Sequence, residues 1–210
     1  MRPWLIPALF LPLLTSPCHA AVPIEGRRTV VFLGDSLTAG LGLPMDQTFP
    51  SLIEARLRAE RRLWKVVNAG VSGDTTAGGL ARLDWIYKQK VDVLVVALGA
   101  NDGLRGIPVE QTERNLRAIM RRARKKGSRV LLVGIRLPDN FGPQAQARFA
   151  AIYPRLAAEF RVALVPFLFE GVAMEPGLNQ ADGIHPNAAG AHKVADHLWE
   201  KLGPMLTSQR

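Results

Sequence analysis

The sequence has only one cysteine among its 210 residues, and this cysteine, Cys18, lies in the N-terminal stretch. Residues 1–20 are typical of a secretory signal peptide: Arg2 comes first, an apolar run follows, and small residues precede a cleavage point after Ala20. A lipoprotein alternative that uses Cys18 is disfavoured by the Ser-Pro pair before it. The remaining domain, residues 21–210, would have no thiol, which excludes disulfides and a cysteine nucleophile.

The sequence also lacks internal repeats, low-complexity tracts and any later apolar segment long enough to cross a membrane. Its hydrophobic share of 48% is typical of a globular α/β protein and argues against disorder. No long unpaired apolar patch is apparent. These features predict a secreted, soluble, single-domain protein that is monomeric.

Aromatic residues make up only 7% of the chain, and none interrupts its basic runs. The net charge is +9, falling to +8 without Arg2, and much of it lies at residues 121–126 and at four arginines between positions 56 and 62. Without interleaved aromatics or a recognisable motif in these runs, we expect no binding to nucleic acid. Two interpretations remain for the basic residues: solvated helix faces, or weak contact with anionic lipid surfaces.

Metal and phosphate sites lack their usual signatures. After the leader, the histidines are His185, His192 and His197, and their spacing makes no familiar ligand pattern. The glycine-rich phosphate motifs G-x-G-x-x-G and G-x-x-x-x-G-K are both absent after the first apolar run. Their absence argues against a non-catalytic α/β module that binds a phosphate-bearing ligand. We therefore expect no metal and no cofactor.

Short β-branched apolar runs alternate with helical patterns along the rest of the chain. This alternation predicts a parallel sheet with helices on both faces. The predicted strands are 29–33, 64–68, 92–98, 129–135 and 162–166, and the predicted helices lie near 48–62, 75–89, 108–126, 143–160 and 187–206. Pro154 predicts a kink or break in the fourth helix, and Gly127 a stop after the third.

Polar clusters follow four of these strands, at what a parallel sheet makes a single edge. The clusters are Gly34-Asp35-Ser36, the stretch 68–75, Gly99-Ala-Asn-Asp-Gly103 and the stretch 182–186. Ligands of such sheets bind beyond the carboxyl ends of the strands. Turns alone would distribute polar residues to both edges, so four clusters at one edge favour a functional site.

Each candidate residue has a structural alternative beside its catalytic one. Ser36 fits either a helix cap or a nucleophile, although the lipase-type G-x-S-x-G motif is not met. Asp182, three residues before His185, fits either a turn or a carboxylate that orients the imidazole. Asn101 fits a turn former or a side-chain N–H donor to a developing oxyanion, and Gly73 a loop residue or a backbone donor.

Taken together, the motifs "GDSLTAG", "NAGVSGDTTAGG", "LGANDGLRG" and "DGIHPNAAG" resemble the four blocks of the SGNH (GDSL) hydrolases, in order and with matching spacing. The resemblance covers essentially all of the chain beyond the leader. It implies a three-layer α/β/α sandwich with a five-stranded parallel sheet in the flavodoxin-like order 2-1-3-4-5. It also implies a periplasmic location and neither metal nor cofactor.

The same resemblance implies the roles of the site residues. Ser36 would be the nucleophile, His185 the general base and Asp182 the residue that orients it. The backbone N–H of Ser36 would form the oxyanion hole with Gly73 and Asn101. The implied substrates are small-molecule acyl thioesters and oxoesters, as in acyl-CoA thioesterases, lysophospholipases and arylesterases. The alternative enzyme is a carbohydrate or aryl-acetyl esterase with the same triad.

Two less polar stretches at the same predicted edge suggest where an acyl chain would bind. These stretches are residues 103–108 and 137–142. They can either line an apolar groove beside Ser36 or merely seal the edge of the sheet. The candidate groove residues are Leu104, Ile107, Leu137, Pro138 and Phe141.

Overall fold

The computed structural model describes residues 28–207. The predicted signal peptide, residues 1–20, lies outside the described residues, so its cleavage stays a prediction. Within the described part of the chain, none of the helices combines the length and apolar character that a bilayer span requires.

Five parallel strands form one sheet in the order β2-β1-β3-β4-β5, as the resemblance implied. The strands are β1 (Arg28–Gly34), β2 (Trp64–Gly70), β3 (Val93–Ala97), β4 (Arg129–Val133) and β5 (Ala163–Val165). The central strands β1 and β3 are almost wholly buried, which explains their continuous apolar runs. The edge strand β2 alternates less regularly and exposes Lys65 and Asn68.

Helices cover both faces of the sheet and complete the three layers. They are α1 (Ser36–Ala39), α2 (Phe49–Ala59), α3 (Thr76–Ala81), α4 (Leu83–Ile86), α5 (Ala100–Leu104), α6 (Val109–Lys125), α7 (Pro143–Ala150), α8 (Ile152–Phe160) and α9 (Ala188–Met205), with short 3₁₀ turns at Met45–Gln47 and Asp139–Phe141. The pair α2 and α9 packs together, and α6 packs against both α3 and α8.

Two predicted helices are each divided in two. The helix predicted at 143–160 breaks at Ala151, and α8 starts there so that Pro154 falls in its first turn, where no backbone N–H is needed. The helix predicted at 75–89 is divided at Arg82, whose backbone leaves the helical conformation. The predicted stop after α6 is confirmed, since Gly127 adopts a left-handed φ of +77°.

The register of the sheet places the first polar clusters side by side. Gly34 at the end of β1 is paired with Gly70 of β2 and Ala97 of β3. A side chain at Gly70 would meet the backbone nitrogen of Ala39 at 2.2 Å, so its absence lets α1 lie directly against β2. The carboxyl ends of β1, β2 and β3 therefore open onto one shared edge.

Candidate active site

Ser36 is the first residue of α1, directly beyond the buried strand β1. The cap of this helix is Asp35, whose Oδ1 accepts a hydrogen bond from the backbone N–H of Leu37 at 3.0 Å. Gly40 ends the helix in a left-handed conformation, with φ +78°. The capping role considered for Ser36 therefore belongs to its neighbour, and the Ser36 hydroxyl is left for another partner.

That partner is His185, which lies 149 residues further along the chain. Ser36 Oγ and His185 Nε2 are 2.8 Å apart. On the other side of the ring, His185 Nδ1 lies 2.6 Å from Asp182 Oδ2. Since a carboxylate only accepts, Nδ1 carries the proton and Nε2 is left as an acceptor facing the serine hydroxyl. The three predicted residues thus form one hydrogen-bonded chain.

The carboxylate of Asp182 is held by the backbone as well as by the imidazole. Its Oδ1 accepts from the backbone N–H groups of Ile184 at 2.9 Å and His185 at 3.0 Å. These hydrogen bonds, with that to the imidazole, lower the pKa of Asp182 to about 2. The group is therefore ionised over the whole neutral range and fixes the orientation of His185.

Gly73, on the loop after β2, and Asn101, in the first turn of α5, lie on segments that are joined by hydrogen bonds. Gly73 has a φ of +79°, a conformation that a side chain would strain. Asn101 Nδ2 donates to the carbonyl oxygen of Asp74 at 2.9 Å, and Arg105 Nη2 donates to that of Gly73 at 2.8 Å. The Asn101 amide carries two N–H groups, so one remains for another acceptor.

Two arginines hold the loop of Gly73 in place, and the sequence alone did not predict this role for either of them. Arg82 donates from Nε to Asp74 Oδ2 at 2.7 Å and from Nη2 to the Gly34 carbonyl at 2.9 Å, joining the loop of Gly73 to the end of β1. Arg105, described above, ties the same loop to α5. Neither arginine differs in its local sequence from a surface arginine, so only their contacts reveal them.

A buried carboxylate, Asp102, also escaped the sequence analysis. It is fully buried and accepts from the backbone N–H of Thr76 at 2.8 Å, from the Thr76 hydroxyl and from Thr112 Oγ1 at 3.3 Å. It thereby joins α3, α5 and α6 behind Asn101. In the sequence, only its position directly after Asn101 draws attention to Asp102. The burial of its side chain and its threonine partners become visible only in the structure.

Asp35 is a second fully buried carboxylate, and its Oδ2 has no hydrogen-bond partner within residues 28–207. Burial raises the pKa of Asp35 from 3.8 to about 6, against the opposing effect of the Leu37 N–H. The folded protein therefore binds a proton more tightly than the unfolded chain does. This contribution to stability is complete below pH 4 and is lost as the pH rises through 6.

We expect Asp35→Asn to remove this pH dependence. Between pH 4 and 7 the free energy of unfolding of the wild type should lose up to about 3 kcal/mol relative to the variant, because two pKa units correspond to roughly that amount. Denaturant unfolding at a series of pH values measures the difference. The exposed Asp46→Asn is the matched control and should follow the wild type; parallel curves for all three proteins would contradict the prediction.

The candidate groove residues differ in exposure. Leu104 is 47% exposed, Pro138 is exposed, and Ile107 and Phe141 are half-buried. Leu137 is only 8% exposed and packs beside Gly103, where a Cβ would meet its Cδ2 at 2.1 Å. Leu137 therefore offers little accessible surface to a groove, whereas the other four residues retain more.

No cation site emerges from the described residues. Between Arg28 and Thr207, no group of three or more histidine, cysteine, aspartate or glutamate side chains is arranged to hold a metal ion. The chemistry that this edge can support with its own residues is proton transfer and nucleophilic attack by Ser36.

The chain is similar to known ester hydrolases over most of its length. The family described as "GDSL-like Lipase/Acylhydrolase family" matches residues 32–193. The chain is 43% identical to "Esterase TesA" of Pseudomonas aeruginosa over 198 residues, which cover 92% of this chain and 98% of the relative. It is 42% identical to "Thioesterase 1/protease 1/lysophospholipase L1" of Escherichia coli K12, covering 97% of this chain and 94% of that protein.

Similarity extends to solved structures. The crystal structure of TesA superposes with a TM-score of 0.83 at 44% sequence identity, covering 86% of this chain and all of that one. The likeness therefore extends over most of this chain and the whole of that one.

Proposed function

The chain belongs to the GDSL-like lipase/acylhydrolase family, and we propose that it is a secreted serine hydrolase that cleaves acyl thioesters and oxoesters through an acyl-enzyme on Ser36. The observation that carries this proposal is the hydrogen-bonded chain from Ser36 Oγ through His185 to Asp182, with distances of 2.8 and 2.6 Å. The enzyme class is common to its relatives, whose printed names are esterase, thioesterase and lysophospholipase.

In the proposed reaction, Ser36 Oγ attacks the acyl carbonyl carbon while His185 Nε2 takes its proton. Asp182 keeps the Nδ1 proton in place and stabilises the imidazolium that forms. The imidazolium then gives its proton to the departing thiol or alcohol. A water molecule, activated by His185 in the same way, attacks the acyl-enzyme and releases the carboxylic acid.

The oxyanion of each tetrahedral intermediate needs preorganised donors. We assign this role to the backbone N–H groups of Ser36 and Gly73 and to the amide of Asn101. Support comes from the hydrogen bonds that hold the loop of Gly73 against α5, namely Asn101 to the Asp74 carbonyl and Arg105 to the Gly73 carbonyl. Donors held in advance need no reorganisation when charge develops on the substrate oxygen.

A fluorophosphonate probe tests the enzyme class directly, because it reacts covalently with an activated serine. We expect labelling at Ser36 and hydrolysis of both decanoyl-CoA and p-nitrophenyl decanoate. A protein that takes no label and hydrolyses neither compound would be a binding module instead. Preference for acetylated sugars over decanoyl compounds would support the carbohydrate esterase alternative.

Asn101→Ala should lower turnover by about 10²–10³-fold, because one oxyanion donor is lost in the transition state. The apparent affinity for substrate should change much less. Steady-state kinetics with p-nitrophenyl esters separate the two effects, and Asn140→Ala, an exposed asparagine on the 3₁₀ turn, is the control. If only the Michaelis constant rises, Asn101 contributes binding or loop structure and no oxyanion hydrogen bond.

We propose that Leu104, Ile107, Pro138 and Phe141 contact the acyl chain. Each buried methylene contributes up to about 0.8 kcal/mol, so kcat/KM should rise with chain length until the groove is filled. Phe141→Ala should flatten this rise for long chains and leave acetyl and butyryl esters nearly unaffected. A p-nitrophenyl ester series measures it, with the exposed Trp85→Ala as control; equal losses at every length would assign Phe141 to the fold.

The proposal also includes export to the periplasm with cleavage after Ala20, a monomeric state and weak contact with anionic lipid. The outer face of α6 supports the proposed lipid contact, since basic side chains dominate it: Arg114, Arg117, Arg121, Arg122 and Lys125.

Intact-mass analysis of protein from the native compartment tests the proposed cleavage after Ala20. A retained, lipidated Cys18 would contradict both the cleavage site and the soluble state.

A further inference from the structure

A second concave site lies at the opposite edge of the sheet, where β4 and β5 begin. It is a cleft of about 670 Å³ whose lining includes Met120, Val130, Val162 and Met205. The site beside Ser36 lies beyond the carboxyl ends of the strands, and this cleft lies before their amino ends. The two are thus separated by at least the length of β4, about 16 Å for five residues.

The floor of the cleft is apolar. Met120 and Val130 line it but are almost wholly covered, at 1% and 5% exposure. Its accessible apolar surface comes from Phe160, Val162 and Met205, which are half-buried and pack against the core. Apolar side chains offer no hydrogen bonds to a small hydrophilic ion. They can contact an alkyl chain, whose burial is favourable in proportion to its area.

Three arginines, Arg124, Arg129 and Arg161, contribute to the lining of the same cleft. The ion pairs found between residues 28 and 207 include none of the three. The acidic residue of the lining, Glu159, is bound by Arg117, with Nε and Oε2 2.9 Å apart. The cleft therefore combines an apolar floor with guanidinium groups that have no carboxylate partner in the described part of the chain.

We propose that this cleft binds a single-chain anionic amphiphile, a fatty acid, with its alkyl chain on the apolar floor and its carboxylate on the arginines. Guanidinium groups bind carboxylates through paired, charge-assisted hydrogen bonds, which makes Arg a suitable donor here. The source of the ligand rests on the proposed function, because hydrolysis of an acyl ester at Ser36 releases this class of compound. The cleft would hold the product while the catalytic edge stays open.

The backbone conformation of Arg161 allows a variant that removes its charge without straining the fold. Arg161 follows α8 in a left-handed conformation, with φ +55°, which glycine adopts without strain. Arg161→Gly therefore removes the guanidinium and should leave the fold intact. Arg61, which lies outside the cleft, has φ +54°, so Arg61→Gly removes the same charge from the same backbone conformation and is the matched control.

Methionine methyl groups report on the cleft by NMR. Met120 and Met205 line it, whereas Met45 and Met174 are both 83% exposed elsewhere and serve as references. Titration of decanoate into the mature protein with ¹³C-labelled methionine methyls should move the Met120 and Met205 signals in a saturable way. Decanol, which lacks the charge, and acetate, which lacks the chain, should bind much more weakly.

Arg161→Gly should weaken decanoate binding by about tenfold, the usual effect of losing one charge-assisted hydrogen bond, and Arg61→Gly should leave it unchanged. The proposal is overturned if Met120 and Met205 do not respond, if both variants weaken binding equally, or if decanol binds as well as decanoate. Labelling and turnover test the hydrolase assignment separately, so either proposal can fail while the other stands.

Discussion

Ser36→Ala should abolish fluorophosphonate labelling and lower turnover by a factor on the order of 10⁴–10⁶. The variant loses the only atom through which the acyl-enzyme can form, while binding and any oxyanion donors remain. Because Ser36 is half-buried and its hydroxyl, among residues 28–207, bonds only to His185, the fold should be unaffected. Labelling, single-turnover kinetics and thermal unfolding measure these effects on one preparation.

Ser72→Ala is a useful control for this experiment, since Ser72 is an exposed serine close to Gly73 in sequence. It should keep the label. A Ser36→Ala protein that is still labelled would show that another residue is the nucleophile, and retained turnover would exclude the acyl-enzyme on Ser36.

Asp182→Asn should lower turnover by about 10⁴-fold without unfolding the protein. The amide oxygen can still accept from the backbone N–H groups of Ile184 and His185. However, the amide nitrogen would face His185 Nδ1 as a donor, which moves the ring proton to Nε2 and removes the acceptor for the Ser36 proton. Kinetics at pH 7 with thermal unfolding as a fold check measure the effect.

The low pKa of Asp182 adds a condition to this prediction. Since the pKa is about 2, protonation of this carboxyl does not limit the wild type at any pH near neutrality. The deficit of Asp182→Asn should therefore persist across the neutral range and not be recovered by raising the pH. Wild-type turnover in the variant would mean that His185 is oriented by its other surroundings, while the exposed Asp46→Asn should be fully active.

Much of the fold was predictable because its physics is local. Strands such as β1 and β3 are buried on both faces, so their apolar runs are continuous and stand out from the helical patterns. The breaks were less accessible. Pro154 signalled one of them, but the division at Arg82 accompanies contacts of its side chain with Asp74, eight residues earlier, and with the carbonyl of Gly34, which is distant in sequence.

The candidate site was predictable as a set of residues and not as a geometry. Parallel strands bring their carboxyl ends to one edge, so the clusters around Ser36, Asn101 and His185 had to lie near one another. Nothing in the sequence gives the 2.8 Å between Ser36 Oγ and His185 Nε2, because this distance depends on how α1 and the loop before α9 pack. The burial of Leu137 was missed for the same reason, since it depends on the neighbouring Gly103.

By itself, then, the sequence determined the strand and helix alternation, the edge that carries the polar clusters, and the family. These follow from periodicity, backbone chemistry and motif spacing, which act over a few residues. Only the tertiary structure decided that Asp35 and Asp102 are buried, that Arg82 and Arg105 hold the loop of Gly73, and that three arginines with no ion-pair partner among residues 28–207 line one cleft. Burial and ion pairing depend on contacts between residues far apart in the chain, and these exist only once the layers have packed.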